Sequence, residues 1–110
     1  MLWHKLTDIN QIQEIKEQST KKLAVLIFKH STRCSISSMA LNRVESKWID
    51  NENIATYYLD LLNYRDISNK IAEDFQVEHA SPQVLLIKNG ACIYHASHSN
   101  INTQSILDAL

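Results

Sequence analysis

The sequence predicts one α/β domain in which a small mixed β-sheet lies between layers of helices. An apolar run, "LAVLIF" (23–28), precedes a segment of helical periodicity, and a second β-rich run, "IATYYLDL" (54–61), follows. This strand–helix–strand order implies a parallel pair with a right-handed crossover. Further on, "QVLLIKNGACIYHA" holds two β-rich runs joined by Asn89-Gly90, a pair preferred in tight hairpin turns. The sheet therefore gains an antiparallel pair.

The first predicted helix precedes the first of these strands. In "TDINQIQEIKEQST" the residues Ile9, Ile12 and Ile15 recur at helical spacing, with Thr7 or Asp8 as a candidate N-cap. Because "LAVLIF" is apolar throughout, helices must cover this strand on both faces of the sheet. The arrangement that satisfies this requirement is a three-layer α/β sandwich.

The second predicted helix starts at a cysteine in the loop after "LAVLIF". Apolar residues recur every four positions from Ser35 to about Ile49, and Cys34 falls at the start of this segment. "DISNKIAEDF" predicts a crossover helix after the second strand. "NTQSILDAL" predicts a short closing helix capped by Asn102.

Length and composition limit the possible functions. A chain of 110 residues can bury one core, so residues 1–110 are expected to form a single domain. The 11 basic and 12 acidic residues nearly cancel, which argues against nucleic-acid or anionic-membrane partners. The start, "MLWHKLTDIN", has no signal-peptide pattern, and no apolar run approaches the roughly 18 residues of a spanning helix. Two cysteines are too few for a disulfide framework, so we expect a cytoplasmic protein with reduced thiols.

Cys34 is the strongest candidate for a reactive group. It lies where a central strand ends and a helix begins, the edge at which open α/β sheets place ligand chemistry. The first turn of a helix offers unpaired N–H groups and the positive end of the dipole, and both favour a thiolate. Arg33 beside it, with Lys29 and His30 upstream, would act in the same direction. The alternative is a small residue that merely fills a helix start.

Ser37 lies one helical turn after Cys34, on the same face. In a dithiol oxidoreductase this position holds the cysteine that expels the substrate by closing an intramolecular disulfide, which serine cannot do. Its hydroxyl can instead hydrogen-bond the Cys34 thiolate. A mixed disulfide on Cys34 must then be removed by an external thiol. The alternative is a serine on the helix surface with no role.

His30 suggests a different chemistry, since a histidine near a cysteine can act as the general base of a hydrolase. No Asn or Asp is evidently placed to orient its ring, so this interpretation is the less favoured one.

Cys92, His95 and His98 form a C-x-x-H-x-x-H pattern that resembles a metal site. If one strand runs through all three, its two-residue period puts Cys92 and His98 on one face and His95 on the other. The three side chains then do not converge, and we expect no bound metal. Cys92 is expected to be a buried, small apolar residue of the strand.

The strand and loop "LAVLIFKHS", the cysteine at a helix start, the hairpin in "ASPQVLLIKNG" and the final helix together resemble the thioredoxin superfamily. The likeness extends from about Leu23 to the end of the chain. On base rates alone the Ser81–Pro82 bond should be trans, because about 5–6% of X–Pro bonds are cis. The resemblance implies a cis bond facing Cys34, with the backbone of Ser81 pairing with the extended substrate chain. Thioredoxins carry a buried carboxylate where this chain has Phe28.

The loop "KHSTRCSIS" is similar to the monothiol bacilliredoxins of the YtxJ-like (bacilliredoxin C) type, whose hallmark has the form T-C-P-I-S. Cys34, Ile36 and Ser37 match that pattern, whereas Arg33 replaces the threonine and Ser35 the proline. The resemblance implies a monothiol disulfide reductase.

In the implied reaction Cys34 attacks the mixed disulfide between a cytosolic protein and a low-molecular-weight thiol, and a second molecule of that thiol releases the adduct. The family implies bacillithiol as this co-substrate, with glutathione and coenzyme A as alternatives, and no bound cofactor. Arg33 and Ser37 would stabilise the thiolate, and we expect the protein to act as a monomer. Two alternatives remain open: a thioredoxin-like binding or chaperone module with a reactive cysteine that does not turn over, and resolution by Cys92.

Overall fold

The computed structural model describes residues 1–110 and contains five β-strands, four α-helices and one 3-10 turn. The elements are, in chain order, β1 (Trp3–Lys5), α1 (Gln11–Lys21), β2 (Ala24–His30), α2 (Ser35–Lys47), β3 (Ile54–Asp60), α3 (Arg65–Phe75), β4 (Gln83–Lys88), β5 (Ala91–Ser97), the 3-10 turn (His98–Asn100) and α4 (Thr103–Asp108).

The strands form one mixed sheet in the order β1-β3-β2-β4-β5. β2 pairs in parallel with β3 and antiparallel with β4, while β1 extends the parallel side and β5 the antiparallel side. All seven residues of the central strand β2 are buried, and for Ala24–Phe28 the continuous apolar run predicts this. The predicted mixed sheet is therefore confirmed.

Alternate residues of β2 face two separate cores, which makes the domain a three-layer sandwich. Val25 and Ile27 pack with α1 and α3 in one core. Leu26 and Phe28 pack with α2 and α4 in the other. We call these two sides the α1/α3 face and the α2/α4 face. None of the helices is long and apolar enough to cross a membrane.

Strand β1 was not predicted from the sequence. It has three residues and lies parallel to β3, with Trp3 opposite Thr56. Two side-chain bonds hold it: Thr56 Oγ1 donates to the Leu2 carbonyl at 2.6 Å, and Trp3 Nε1 donates to Glu45 Oε2 at 2.9 Å. A strand this short has no periodicity that a sequence pattern could reveal.

The predicted N-cap of α1 is wrong. The cap position is Asn10, whose side chain makes no capping bond. Asp8 instead accepts from the Asn10 N–H at 2.8 Å, and Gln11 Oε1 accepts from the backbone N–H groups of Thr7 and Asp8. A glutamine inside the helix thus organises its entry, because its longer side chain reaches back over the preceding turn.

The hairpin turn and the closing cap are confirmed. Asn89 and Gly90 have φ values of 51° and 77°, the left-handed pair that a two-residue hairpin turn needs. The Asn102 side chain accepts from the Ser105 N–H at 2.9 Å and caps α4.

The simple alternation predicted along β5 is wrong, because the hairpin contains an irregularity. The register between β4 and β5 shifts at Leu86/Ile87, so that Cys92 pairs with Ile87 while His95 pairs with Leu85. Directly paired residues share a face, and Cys92 and His95 therefore both lie on the α1/α3 face. His98 lies outside the strand, in the following 3-10 turn. No group of three or more His, Cys, Asp or Glu side chains converges as a metal site.

Candidate active site

Cys34 occupies the N-cap position of α2, at the edge of the sheet where β2 and β3 end. Its backbone is extended (φ −111°, ψ 120°), and its carbonyl accepts the first helical bond, from the Ser38 N–H at 3.1 Å. The Cys34 N–H donates to the Ser31 carbonyl at 3.1 Å, which closes the loop between β2 and α2. The residue is partly exposed and its thiol is free. The predicted helix start at this cysteine is confirmed.

Ser37 is fully buried rather than on the helix surface. Its Oγ accepts from the Ser31 N–H at 3.0 Å and lies 2.7 Å from His30 Nδ1. The predicted hydrogen bond from Ser37 to the Cys34 sulfur is therefore wrong, because the hydroxyl is bonded to the end of β2 and to the loop instead. Ser37 ties the first turn of α2 to both segments that lead up to Cys34.

His30 is the last residue of β2 and is also buried. Burial lowers the pKa of its imidazole, and the carboxylates of Asp60 and Glu45 oppose this only in part. The ring packs against Tyr58 at 5.5 Å between centroids, and its Nδ1 is bonded to Ser37. With Nδ1 occupied in this way, His30 serves as a structural partner of Ser37, which further disfavours the hydrolase interpretation.

Lys29 has a role that the sequence analysis missed. It is fully buried on the α1/α3 face, where its Nζ donates to the Ser68 carbonyl at 3.1 Å and lies 3.5 Å from His79 Nδ1. Burial lowers the pKa of this lysine to about 8. The predicted support of the Cys34 thiolate by Lys29 is therefore wrong, because its ammonium points to the face opposite α2. A lysine directly after an apolar run, with no turn residue between them, was the available signal.

His79, an exposed residue of the segment that leads to Pro82, extends this polar cluster toward the surface. The Ser68 hydroxyl lies 3.2 Å from His79 Nδ1. Because a lysine ammonium only donates, Nδ1 acts as the acceptor toward Lys29. Burial, followed by the charges of Lys29 and Arg65, lowers the pKa of the His79 ring.

The Ser81–Pro82 peptide bond is cis. This confirms the expectation from the resemblance and corrects the base-rate expectation of a trans bond. Lys29 pairs with Gln83, so the antiparallel register brings Pro82 beside the end of β2 from which the chain continues to Cys34. The Ser81 Oγ is buried and has no hydrogen-bond partner within the chain.

Arg33 is exposed and forms no ion pair. Together with Thr32 it lines a surface cavity whose other wall is Leu62 and Asn63, in the turn after β3. Lys29, His30 and Arg33 were predicted to support the Cys34 thiolate. Lys29 and His30 are buried, so Arg33 is the one of the three that is exposed in the loop before α2.

Cys92 lies far from Cys34. It pairs with Ile87, which in turn pairs with Val25, five residues before the end of β2. At about 3.3 Å per residue this is about 16 Å along the sheet, whereas bridged Cα atoms lie within about 7 Å of each other. Burial raises the pKa of the Cys92 thiol, which donates to the Tyr94 carbonyl at 3.3 Å. A disulfide between the two cysteines is therefore incompatible with this fold.

Comparison with known proteins identifies the family. The sequence profile of the monothiol bacilliredoxin BrxC matches residues 4–106. The chain belongs to the monothiol bacilliredoxin family. A solved structure described as a putative oxidoreductase with a thioredoxin fold superposes with a TM-score of 0.81 at 32% identity, covering 96% of this chain and 90% of that one.

Thioredoxins share the fold at lower identity. The thioredoxin of Malassezia sympodialis has a TM-score of 0.73 at 16% identity and covers 98% of this chain and 87% of its own. That of Fasciola hepatica has a TM-score of 0.69 at 14% identity, covering 96% and 93%. The fold is thus thioredoxin-like, and membership of the bacilliredoxin family gives the chain a thiol–disulfide redox role.

Proposed function

We propose that this bacilliredoxin reduces mixed disulfides between cytoplasmic proteins and a low-molecular-weight thiol, with bacillithiol as the preferred small thiol. The observation that carries the proposal is the combination of Cys34 and Ser37. The one free thiol at the edge of the sheet belongs to the N-cap residue of a helix, and the residue one turn later is a buried, hydrogen-bonded serine. No second thiol lies within reach of the first.

In the first step the Cys34 thiolate attacks the small-thiol sulfur of the mixed disulfide. A bond forms between Cys34 Sγ and that sulfur, and the bond to the protein cysteine breaks. The protein cysteine leaves as a thiolate with the electron pair and takes a proton from solvent, so it is reduced while Cys34 is oxidised. The N-terminal N–H groups of α2 favour the negative charge that the nucleophile carries.

In the second step a free molecule of the small thiol attacks its own moiety on Cys34. The products are a symmetric small-molecule disulfide and the Cys34 thiolate, and a separate reductase must reduce that disulfide. The electron pair that reduces the target therefore comes from the small thiol, and the protein needs no metal or prosthetic group.

Other residues would hold the target and the nucleophile. The backbone of Ser81, next to the cis bond to Pro82, would pair with the extended chain of the target protein. Such pairing uses main-chain hydrogen bonds and is therefore tolerant of sequence. Ser37 acts as a positioning residue for the loop, and Arg33 offers a positive charge at its surface. We expect the protein to work as a monomer, because one chain carries all of these groups.

The test is mass spectrometry of the purified protein mixed with a bacillithiolated substrate protein and then chased with bacillithiol, with glutathione in parallel. We expect an adduct on Cys34 that bacillithiol clears. Cys34→Ser should form no adduct, and the matched variant Cys92→Ala should behave like the wild type. Substrate left untouched, or an adduct that no thiol clears, would instead make the domain a binding module with a reactive cysteine.

A further inference from the structure

The cavity beside Cys34 has the features of a site for a small anionic molecule. It lies between the loop before α2 and the turn after β3, with a volume of about 360 Å³. Its lining residues are Thr32, Arg33, Leu62 and Asn63. This volume lies within the range of small-molecule sites, which is about 300–1,000 Å³. Arg33 is directly adjacent to Cys34 in the chain, so one wall of the cavity belongs to the same loop as the nucleophile.

The wall formed by the turn after β3 is held in place by backbone and side-chain bonds. Asp60 accepts from the Leu62 N–H at 3.2 Å and from Asn63 Nδ2 at 2.7 Å. The Leu61 N–H donates to the His30 carbonyl at 3.1 Å, which ties the turn to the strand that leads to Cys34. The cavity is therefore preformed on this side, and binding need not order the turn.

The polar groups of the cavity are complementary to a molecule that carries both a carboxylate and hydrogen-bond donors. The Arg33 guanidinium is the one charged group in the lining, and no carboxylate of the chain pairs with it. Because Asn63 Nδ2 is bonded to Asp60, its Oδ1 remains as an acceptor. Asp60 bonds to Asn63 but does not line the cavity, so an anion is favoured on the Arg33 side.

We propose that this cavity binds the small thiol during release of the adduct, with Arg33 pairing with a carboxylate of that thiol. Arg33 then determines specificity, because it favours carboxylate-bearing thiols over neutral ones. The proposal rests on the proposed function for its physiological meaning. In the step concerned the incoming thiolate forms a bond to the adduct sulfur, Cys34 leaves with the electron pair, and a disulfide is released.

The experiment places an uncharged adduct on Cys34, so that the adduct does not itself compete with the attacking thiol for Arg33. Cys34 is converted to its 2-thiopyridyl mixed disulfide in the Cys92→Ala background. Recovery of free Cys34, which follows attack on the pyridyl-bearing sulfur, and release of 2-thiopyridone, which follows attack on the Cys34 sulfur, are measured separately. Recovery of Cys34 is the one that corresponds to release of the adduct. The attacking thiols are mercaptosuccinate and 2-mercaptoethanol. Each rate is divided by the rate at which the same thiol attacks a small thiopyridyl disulfide in solution, which removes differences in intrinsic nucleophilicity between the two thiols.

The measured quantity is the ratio of the normalised rates of Cys34 recovery with mercaptosuccinate and with mercaptoethanol. We expect Arg33→Thr to lower this ratio about two- to fivefold, the range for one ion pair at an exposed site. Arg33→Lys should retain part of the preference, since it keeps the charge without the bidentate geometry. Added salt should lower the ratio for the wild type and leave that of Arg33→Thr nearly constant.

Lys47→Thr is the matched control, because it removes the same unit of charge at the far end of α2 from Cys34. An unchanged ratio in Arg33→Thr, or an equal fall in Lys47→Thr, would overturn the proposal. The assay needs no thiolated protein substrate, so it can succeed while the mass-spectrometric test of the proposed function fails. The converse result is normal turnover without a preference for carboxylate-bearing thiols. It would refute the specificity role of Arg33 and leave the proposed function intact.

Discussion

The burial of Lys29 predicts how the free energy of unfolding changes with pH. Its ammonium is fully buried and hydrogen-bonds the Ser68 carbonyl, and no carboxylate pairs with it. Burial lowers the pKa from 10.5 to about 8. At about 1.4 kcal/mol per unit, this difference penalises the charged form in the folded state by about 3 kcal/mol.

The sign follows from proton binding. Between about pH 8 and 10.5 the unfolded chain keeps the proton on Lys29 while the folded chain releases it. The unfolded state therefore binds more protons, and the free energy of unfolding rises with pH across this window. For these two pKa values the gain between pH 7 and pH 9.5 is about 2 kcal/mol, and the remainder follows above pH 9.5.

The assay compares the wild type with Lys29→Met, which keeps the length of the side chain and removes its charge. Urea unfolding followed by circular dichroism gives the free energy of unfolding at pH 7 and at pH 9.5. Other groups that titrate in this range, among them Tyr57 and Cys92, are present in both proteins and cancel in the difference. We expect wild type minus variant to change by about 2 kcal/mol in favour of the wild type as pH rises.

A difference that stays constant with pH would refute the reasoning, since it would mean that Lys29 has the same pKa in both states. If Lys29→Met does not fold, an NMR titration of the Lys29 side chain in the wild type tests the same point. A midpoint near 10.5 there would show that the ammonium is solvated.

Two further variants test individual hydrogen bonds, and each has a neighbouring control. Ser37→Ala leaves the Ser31 N–H and the His30 ring without their partner, so we expect the free energy of unfolding in urea to fall by about 2–3 kcal/mol. The exposed Ser35→Ala is the control and should cost about 0.5 kcal/mol or less. An equally small loss in Ser37→Ala would contradict the role of its hydrogen bonds to Ser31 and His30. Asn102→Ala removes the cap of α4 and should cost about 1 kcal/mol by the same measurement, whereas an effect below that of Gln104→Ala would show that the cap contributes nothing.

The sequence predicts most of the fold because strong local signals lie in its central elements. The apolar run of β2 and the Asn89-Gly90 turn each allow few conformations, and the structure contains both as predicted. The failures fall where local signals are weak. β1 is held by bonds to residues more than forty positions away, such as Trp3 to Glu45, and no window of sequence contains both partners.

The candidate site was predictable in its position and less so in its contacts. The chain order places Cys34 at the end of a central strand, and the edge of the sheet follows from that order alone. Which way Lys29 and Ser37 point depends on the pairing of β2 within the sheet and on the packing of α2. A lysine at the end of an apolar run is compatible with either a solvated or a buried charge, and only the packed structure distinguishes the two.

The serine at position 37 has a consequence that its spacing from Cys34 does not suggest. Its hydroxyl is bonded to Ser31 and His30, and neither bond involves the Cys34 sulfur. The loop before α2 is therefore held by the same contacts whether Cys34 is a thiolate or carries a small thiol. In the proposed cycle the adduct waits for a second molecule of thiol, and a loop that keeps its shape in both states presents that adduct without further rearrangement. In a dithiol enzyme this position must instead react, so its contacts change with every turnover.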